Sequence, residues 1–136
     1  MVTAVWQGAK PPDAYGPGRE KGGKIMPAET VMFVYATARE RVQAEQIGIA
    51  LVKERLAACA NVLDHVRSFY WWQGEIQQDT EALLILKTTA ARVEALIARL
   101  KALHSYDCPC IEALPIAAGY APYLDWVRSE VAAAHT

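Results

Sequence analysis

Between positions 104 and 110 the chain runs His104-Ser105-Tyr106-Asp107-Cys108-Pro109-Cys110. An imidazole, a carboxylate and two thiols in so short a stretch are suitable ligands for a soft or borderline ion such as Cu(I), Cu(II) or Zn(II). In an extended segment residues two apart point to the same side, so Cys108 and Cys110 share a side. Their sulfurs are then too far apart for an unstrained disulfide, whereas a metal or a neighbouring chain can bridge them. The same thiols also suit a core, because free cysteine is among the most buried residue types. His104, Asp107, Cys108 and Cys110 are therefore the candidate metal ligands, with core packing as the alternative for the cysteine pair.

Other chemistry is sparse. His65 lies in a predicted strand and reads as surface or hairpin packing. Cys59, in Leu56-Ala57-Ala58-Cys59-Ala60-Asn61, sits at a junction of small residues and reads as core. Tyr70, Trp71 and Trp72 would serve as a stacking platform or, more commonly at strand spacing, as core and interface. There is no Gly-x-Ser-x-Gly, no Gly-x-Gly-x-x-Gly and no phosphate-binding loop. Nothing argues for an enzyme.

The elements that hold these residues follow from composition and pattern. The 136 residues are 53% hydrophobic and 21% charged, which suits one domain with a real core and excludes a disordered chain. The net charge of −1 supplies no basic field for nucleic acid or anionic lipid. No apolar run approaches the roughly 18–20 residues of a membrane span. Three cysteines are too few and too odd in number for a disulfide framework, so a reducing, cytoplasmic setting is expected. Residues 1–28, with Pro11-Pro12, Gly16-Pro17-Gly18 and Gly22-Gly23, read as a flexible Gly/Pro-rich extension, and 29–136 as the folded domain.

Within that domain Val31 to Tyr35 is a β-branched and aromatic run, a buried strand. Thr37-Ala38-Arg39-Glu40 reads as a capping box opening a helix that ends near Ala57. Its apolar face is Val42, Ile49, Val52 and Leu56, widened by Ile47 and Leu51. Cys59 to Trp72 and Glu75 to Thr88 form two long strands about a Gln73-Gly74 turn, with a tip projecting beyond the domain. Thr89 caps a helix striped by Val93, Leu96, Ile97, Leu100 and Leu103. His104 to Pro109 is a loop, Cys110 to Ile116 a short strand, and Tyr123, Leu124, Val127 and Val131 mark a last helix. The order β-α-β-β-α-β-α is an α+β fold, a ferredoxin-like βαββαβ sandwich with an added C-terminal helix. Two helices cover one face of such a sheet, yet Val31 to Tyr35 and Ala82 to Leu86 are apolar on both faces. Self-association through the uncovered face and the hairpin is the main physical inference.

Five segments in order carry a resemblance: Arg55 to Asn61; Ser68-Phe69-Tyr70-Trp71-Trp72-Gln73-Gly74-Glu75-Ile76; Leu86-Lys87-Thr88-Thr89; His104-x-Tyr106-x-x-Pro109; and Tyr123-Leu124-x-Trp126. Together they resemble the CutA family of divalent-cation-tolerance proteins over about residues 30–131. The resemblance implies a homotrimer in which the long hairpin strands join sheets across subunits. It also implies a cytosolic role in tolerance of copper or a similar divalent ion, bound without turnover. The family's His-Pro-Tyr-Glu-x-Pro-Glu stretch maps onto His104 to Cys110, with Ser105, Asp107 and Cys110 as the departures. A copper-binding cysteine of some relatives falls at Ala36, leaving His104, Asp107, Cys108 and Cys110 to hold an ion. Lys87, Tyr106 and Trp126 match positions near the cleft between subunits. The likeness of the family's assembly to trimeric PII signalling proteins gives a second function, sensing a small anionic, planar ligand in those clefts.

Overall fold

The β-branched and aromatic run at Val31 opens the first strand of a computed structural model that describes residues 26–132. The elements are β1 (Val31–Ala38), α1 (Arg41–Lys53), β2 (Cys59–Trp72), β3 (Glu75–Thr89), α2 (Ala90–Leu103), β4 (Ile111–Pro115) and α3 (Ala121–Glu130). The strands form one sheet in the order β2-β3-β1-β4, every pair antiparallel. This is the expected α+β arrangement, with β3 and β1 in the middle. The expected extension, residues 1–28, lies outside the described residues up to position 25. Its last residues belong to the fold: the Pro27 carbonyl accepts from the Thr30 amide and the Ala28 carbonyl from the Ala91 amide.

Helix α1 corrects three expectations. Thr37 does not cap it, because β1 stays paired with β3 through Ala38↔Ala82 and Thr37 is a strand residue. The N-cap is Glu40, whose carboxylate accepts from the Gln43 amide at 2.8 Å, while Gln43 Oε1 accepts from the Arg39 amide at 3.0 Å. The buried face is Ala44, Ile47, Gly48 and Leu51. Val42 and Ile49, expected on that face, are exposed. Small residues mark the contact line: a Cβ on Gly48 would meet Ala60 Cβ at 3.1 Å and Leu84 Cδ1 at 3.2 Å. The helix stops at Lys53 rather than near Ala57, and Arg55 turns the chain with φ 61°.

Helix α2 buries Leu96 and Leu100 as its stripe predicts. Thr89 holds the N-cap position but makes no side-chain cap bond. The Ala90 and Ala91 amides are instead taken by the Thr30 and Ala28 carbonyls, at 2.8 and 3.0 Å. Both helices cover one face of the sheet, where Val34, Ala36, Ala38, Ala82, Leu84 and Leu86 are buried with Leu51, Leu96 and Leu100. On the opposite face Phe33, Tyr35, Leu83 and Ile85 are only half-buried, and Leu63 and Leu114 are half-exposed. That face stays uncovered over most of its length. Helix α3 touches one end of it, where Tyr123 Oη lies 3.4 Å from Cys59 Sγ.

The hairpin of β2 and β3 turns on Gln73 and Gly74, both in the left-handed region (φ 52° and 82°) that a two-residue hairpin turn requires. Between Leu63↔Leu83 and Val66↔Glu81, β2 carries two residues against one on β3. This bulge at Asp64 and His65 (His65 φ 59°) moves every later β2 residue to the other face. Val66, Ser68, Tyr70 and Trp72 join Glu81 on the uncovered face, while Phe69, Trp71 and Ile76 lie beyond the helices, 60–70% exposed. No helix among the described residues is long and apolar enough to cross a membrane.

Candidate functional site

The register of β4 decides where the sulfur chemistry sits. Ile111 pairs with Ala36, on the helix-covered face, so Cys110, one residue earlier, falls on the uncovered face beside Thr37. Its Sγ lies 3.9 Å from Glu112 Oε1. Burial pushes the thiol pKa up to about 11, and the negative charges of Glu112 and Glu81 add to the rise. Tyr35 shares this neighbourhood; burial and then the charges of Cys110, Glu112 and Glu81 raise its phenol pKa.

His104 does not face this sulfur as a free ligand. Its Nε2 lies 2.7 Å from the Thr37 carbonyl, and its Nδ1 accepts from the Tyr106 amide at 3.1 Å. A carbonyl only accepts, so Nε2 carries the proton and Nδ1 gives its lone pair to the loop. Both ring nitrogens are committed to fastening the 104–110 loop onto β1. Burial lowers the imidazole pKa, against the raising effect of the Thr37 hydrogen bond, so the ring is held neutral. Asp107 is exposed and Cys108 is half-buried. Among the described residues no group of three or more His, Cys, Asp and Glu side chains is placed to hold a metal ion. The expected set of His104, Asp107, Cys108 and Cys110 therefore does not converge within one chain, and its donors do not fit a closed ion site there. The two thiols remain its soft donors, both free.

The three residues expected near a cleft separate into two places. Tyr106 is buried, and its hydroxyl donates to Glu81 Oε2 at 2.9 Å. Burial and the Glu81 charge lift its phenol far above the usual range. Lys87 lies six residues along β3 from Glu81, about 20 Å at ~3.3 Å per residue. There its Nζ donates to Asn61 Oδ1 at 3.3 Å, lies 3.9 Å from Cys59 Sγ, and stands 6.0 Å from the Phe33 ring centre. Trp126 belongs to the Lys87 end through Tyr123: the two rings are 5.8 Å apart, and Tyr123 Oη reaches Cys59. Burial and the contact with Cys59 push the Tyr123 pKa up to about 12.

Two members of these clusters escaped the sequence reading. Glu81 is a buried carboxylate (5% exposed) inside the apolar run of β3. Its signal was legible as one acid directly before Ala82-Leu83-Leu84, where a solvated strand end is the ordinary explanation. Cys59 is not core as expected. It is half-buried on the uncovered face, because it pairs with Lys87 and shares that residue's side of the sheet.

Comparison with known proteins adds an independent line. Residues 32–130 match the family model described as "CutA1 divalent ion tolerance protein". The divalent-cation tolerance protein CutA of Thermus thermophilus is 50% identical over 100 residues, covering 74% of this chain and 95% of that protein. The chloroplastic protein CutA 1 of Oryza sativa is 40% identical over 98 residues, covering 72% of this chain but 55% of its own length. Among solved structures, the periplasmic divalent cation tolerance protein CutA of Archaeoglobus fulgidus superposes with a TM-score of 0.72 at 40% identity, covering 74% of this chain and 98% of that one.

Proposed function

Because the chain belongs to the CutA1 divalent ion tolerance protein family, we propose that it works as a homotrimer that binds copper or a similar ion without turnover, in a reducing, cytoplasmic setting. The observation that carries this reading is the uncovered sheet face. It is apolar at Leu63, Ile85 and Leu114, and it carries the Cys110 thiol beside Glu112 and Glu81. An apolar face of this extent is sheltered when copies of the chain pack on it. Donors that are incomplete in one chain are then completed across copies. Soft-ion contact runs through Cys108 and Cys110, and His104 stays a structural strut. The cytoplasmic setting rests on three cysteines that are all free thiols.

Titration of tag-free protein with Cu(I) and Zn(II) tests this. Binding tighter than about 10 μM is expected for Cu(I), lost in Cys108→Ser/Cys110→Ser and retained in His104→Gln. A thiol held protonated up to about pH 11 must release its proton to the ion, so affinity rises with pH. No binding at that level, or binding untouched in the double serine variant, sinks the reading.

A second reading, a sensor of an anionic small molecule in the clefts between subunits, is favoured by Lys87. Its half-buried ammonium has no carboxylate partner among the described residues and sits beside Asn61, Phe33 and the Tyr123–Trp126 pair. Tyr106, buried against Glu81 in its own chain, takes no part in this reading. A thermal-shift screen of nucleotides and carboxylates separates the two readings, since only this one predicts a hit abolished by Lys87→Gln.

A further inference from the structure

At the end of β1 away from Cys110, the segment before β1, the start of α2 and the end of α3 border a cavity of about 320 Å³. Its wall includes Glu29, Thr89, Arg92, Arg128 and Val131. Two guanidinium groups therefore border one small space. Each is held from behind by a backbone carbonyl: Arg92 Nε donates to Val131 O at 2.7 Å, and Arg128 Nε donates to Glu29 O at 2.8 Å. Arg128 also pairs with Asp125, 2.8 Å away. Arg92 has no ion-pair partner among the described residues, and its Nη2 is buried without any hydrogen-bond partner.

The wall carries two guanidinium groups and one acid, and of the two cations only Arg128 has an ion-pair partner among the described residues, Asp125. Arg92 stands in the first turn of α2, which has no acidic side chain, and Thr89 gives that helix no side-chain cap. The start of a helix already favours an anion, so a cation there adds to the positive field instead of offsetting it. Glu29 is the one acid on the wall, is exposed, and meets Arg128 through its main chain. Arg92 is half-buried, and the planar forks of Arg92 and Arg128 on one wall match the oxygens of a carboxylate or phosphate. The volume exceeds that of a bare oxyanion and falls at the lower end of small-ligand sites.

We propose that this cavity is a binding site for the oxyanion head of a small molecule, a phosphate or carboxylate group gripped between Arg92 and Arg128. The wall lies at the end of β1 opposite Cys110, and its Thr89 is two residues along β3 from Lys87, so Lys87 is the neighbouring cation that the test must tell apart. Calorimetric titration of the full chain at constant ionic strength, with inorganic phosphate, a simple phosphomonoester and acetate as probes, tests it. Saturable binding of at least one probe below about 10 mM is expected, weakened about tenfold or more by Arg92→Met and by Arg128→Gln. Arg92→Lys keeps the charge but loses the fork and is expected to fall between parent and Arg92→Met. Preference for the phosphomonoester would assign the larger ligand, and equal binding of phosphate and acetate a general oxyanion. The proposal is overturned if the parent protein gives no saturable heat with any probe. It is equally overturned if Lys87→Gln abolishes the binding and Arg92→Met leaves it intact, which puts the anion at the other site.

Discussion

A histidine whose two nitrogens are both engaged is a fastener, and His104 shows how residue type alone misleads. The same imidazole that suits a metal also suits a loop that must be pinned to a strand, and only the positions of Thr37 O and the Tyr106 amide decide between them. The pinning has a pH signature. Burial holds the folded-state pKa of His104 below its ordinary 6.5. As pH falls through 6.5, the unfolded chain takes up a proton that the folded one refuses, so this residue withdraws stability on the acid side. His104→Gln keeps one donor and one acceptor but cannot titrate. Thermal midpoints measured from about pH 7.5 to pH 5 should fall more steeply in the parent than in the variant. At the upper end the variant should be less stable by about 1 kcal/mol. Parallel slopes would show that the ring is not held neutral.

The elements were legible where one signal dominated, and illegible where two competed. The β-branched run of β1, the stripe of α2 and the Gln73-Gly74 turn each have a single reading, and each stands where the pattern put it. In α1 large apolar residues lie on several sides of the helix, and bulk pointed to Val42 and Ile49. The sheet instead accepted the side with Ala44 and Gly48, because close approach outweighs the area of one more aliphatic chain. Gly48→Ala measures that trade. Helix propensity alone predicts a gain of about 1 kcal/mol. Against it stand contacts at 3.1 and 3.2 Å with Ala60 and Leu84, so a net loss of about 1–2 kcal/mol is expected in chemical denaturation. A stabilised variant would mean that the helix rides more loosely than these distances say. The bulge at Asp64 and His65 was invisible in sequence, because Val66 to Trp72 is strand-like in either register. Half of the candidate site was hidden for the same reason: the face on which Cys59 or Cys110 lies depends on pairing with β3 and β1, which no local pattern encodes.

At the scale of the molecule, the sequence's strongest statement is that the middle strands are apolar on both sides. A single chain covers one side with α1 and α2 and leaves Phe33, Tyr35, Leu83 and Ile85 half-buried on the other. With the proposed assembly, light scattering at micromolar concentration should give three times the mass of one chain. Ile85→Asp, a charge in the middle of that face, should shift the population to single chains that keep their circular dichroism, since an unpaired buried carboxylate costs several kcal/mol. A parent of single-chain mass would remove the setting in which the thiols are completed across copies.

The two rims of the sheet are guarded unequally. β4 offers five residues and ends in Pro115, a short rim that recruits little. β2 offers fourteen residues, interrupted only at the Asp64–His65 bulge, with Phe69 and Trp71 among them exposed to solvent. Until that rim is occupied it is a template for any extended peptide that meets it. In the proposed assembly the hazardous interval is the one just after synthesis, before companion copies cover that rim. Abundance, more than temperature, should govern whether newly made chains mature or clump.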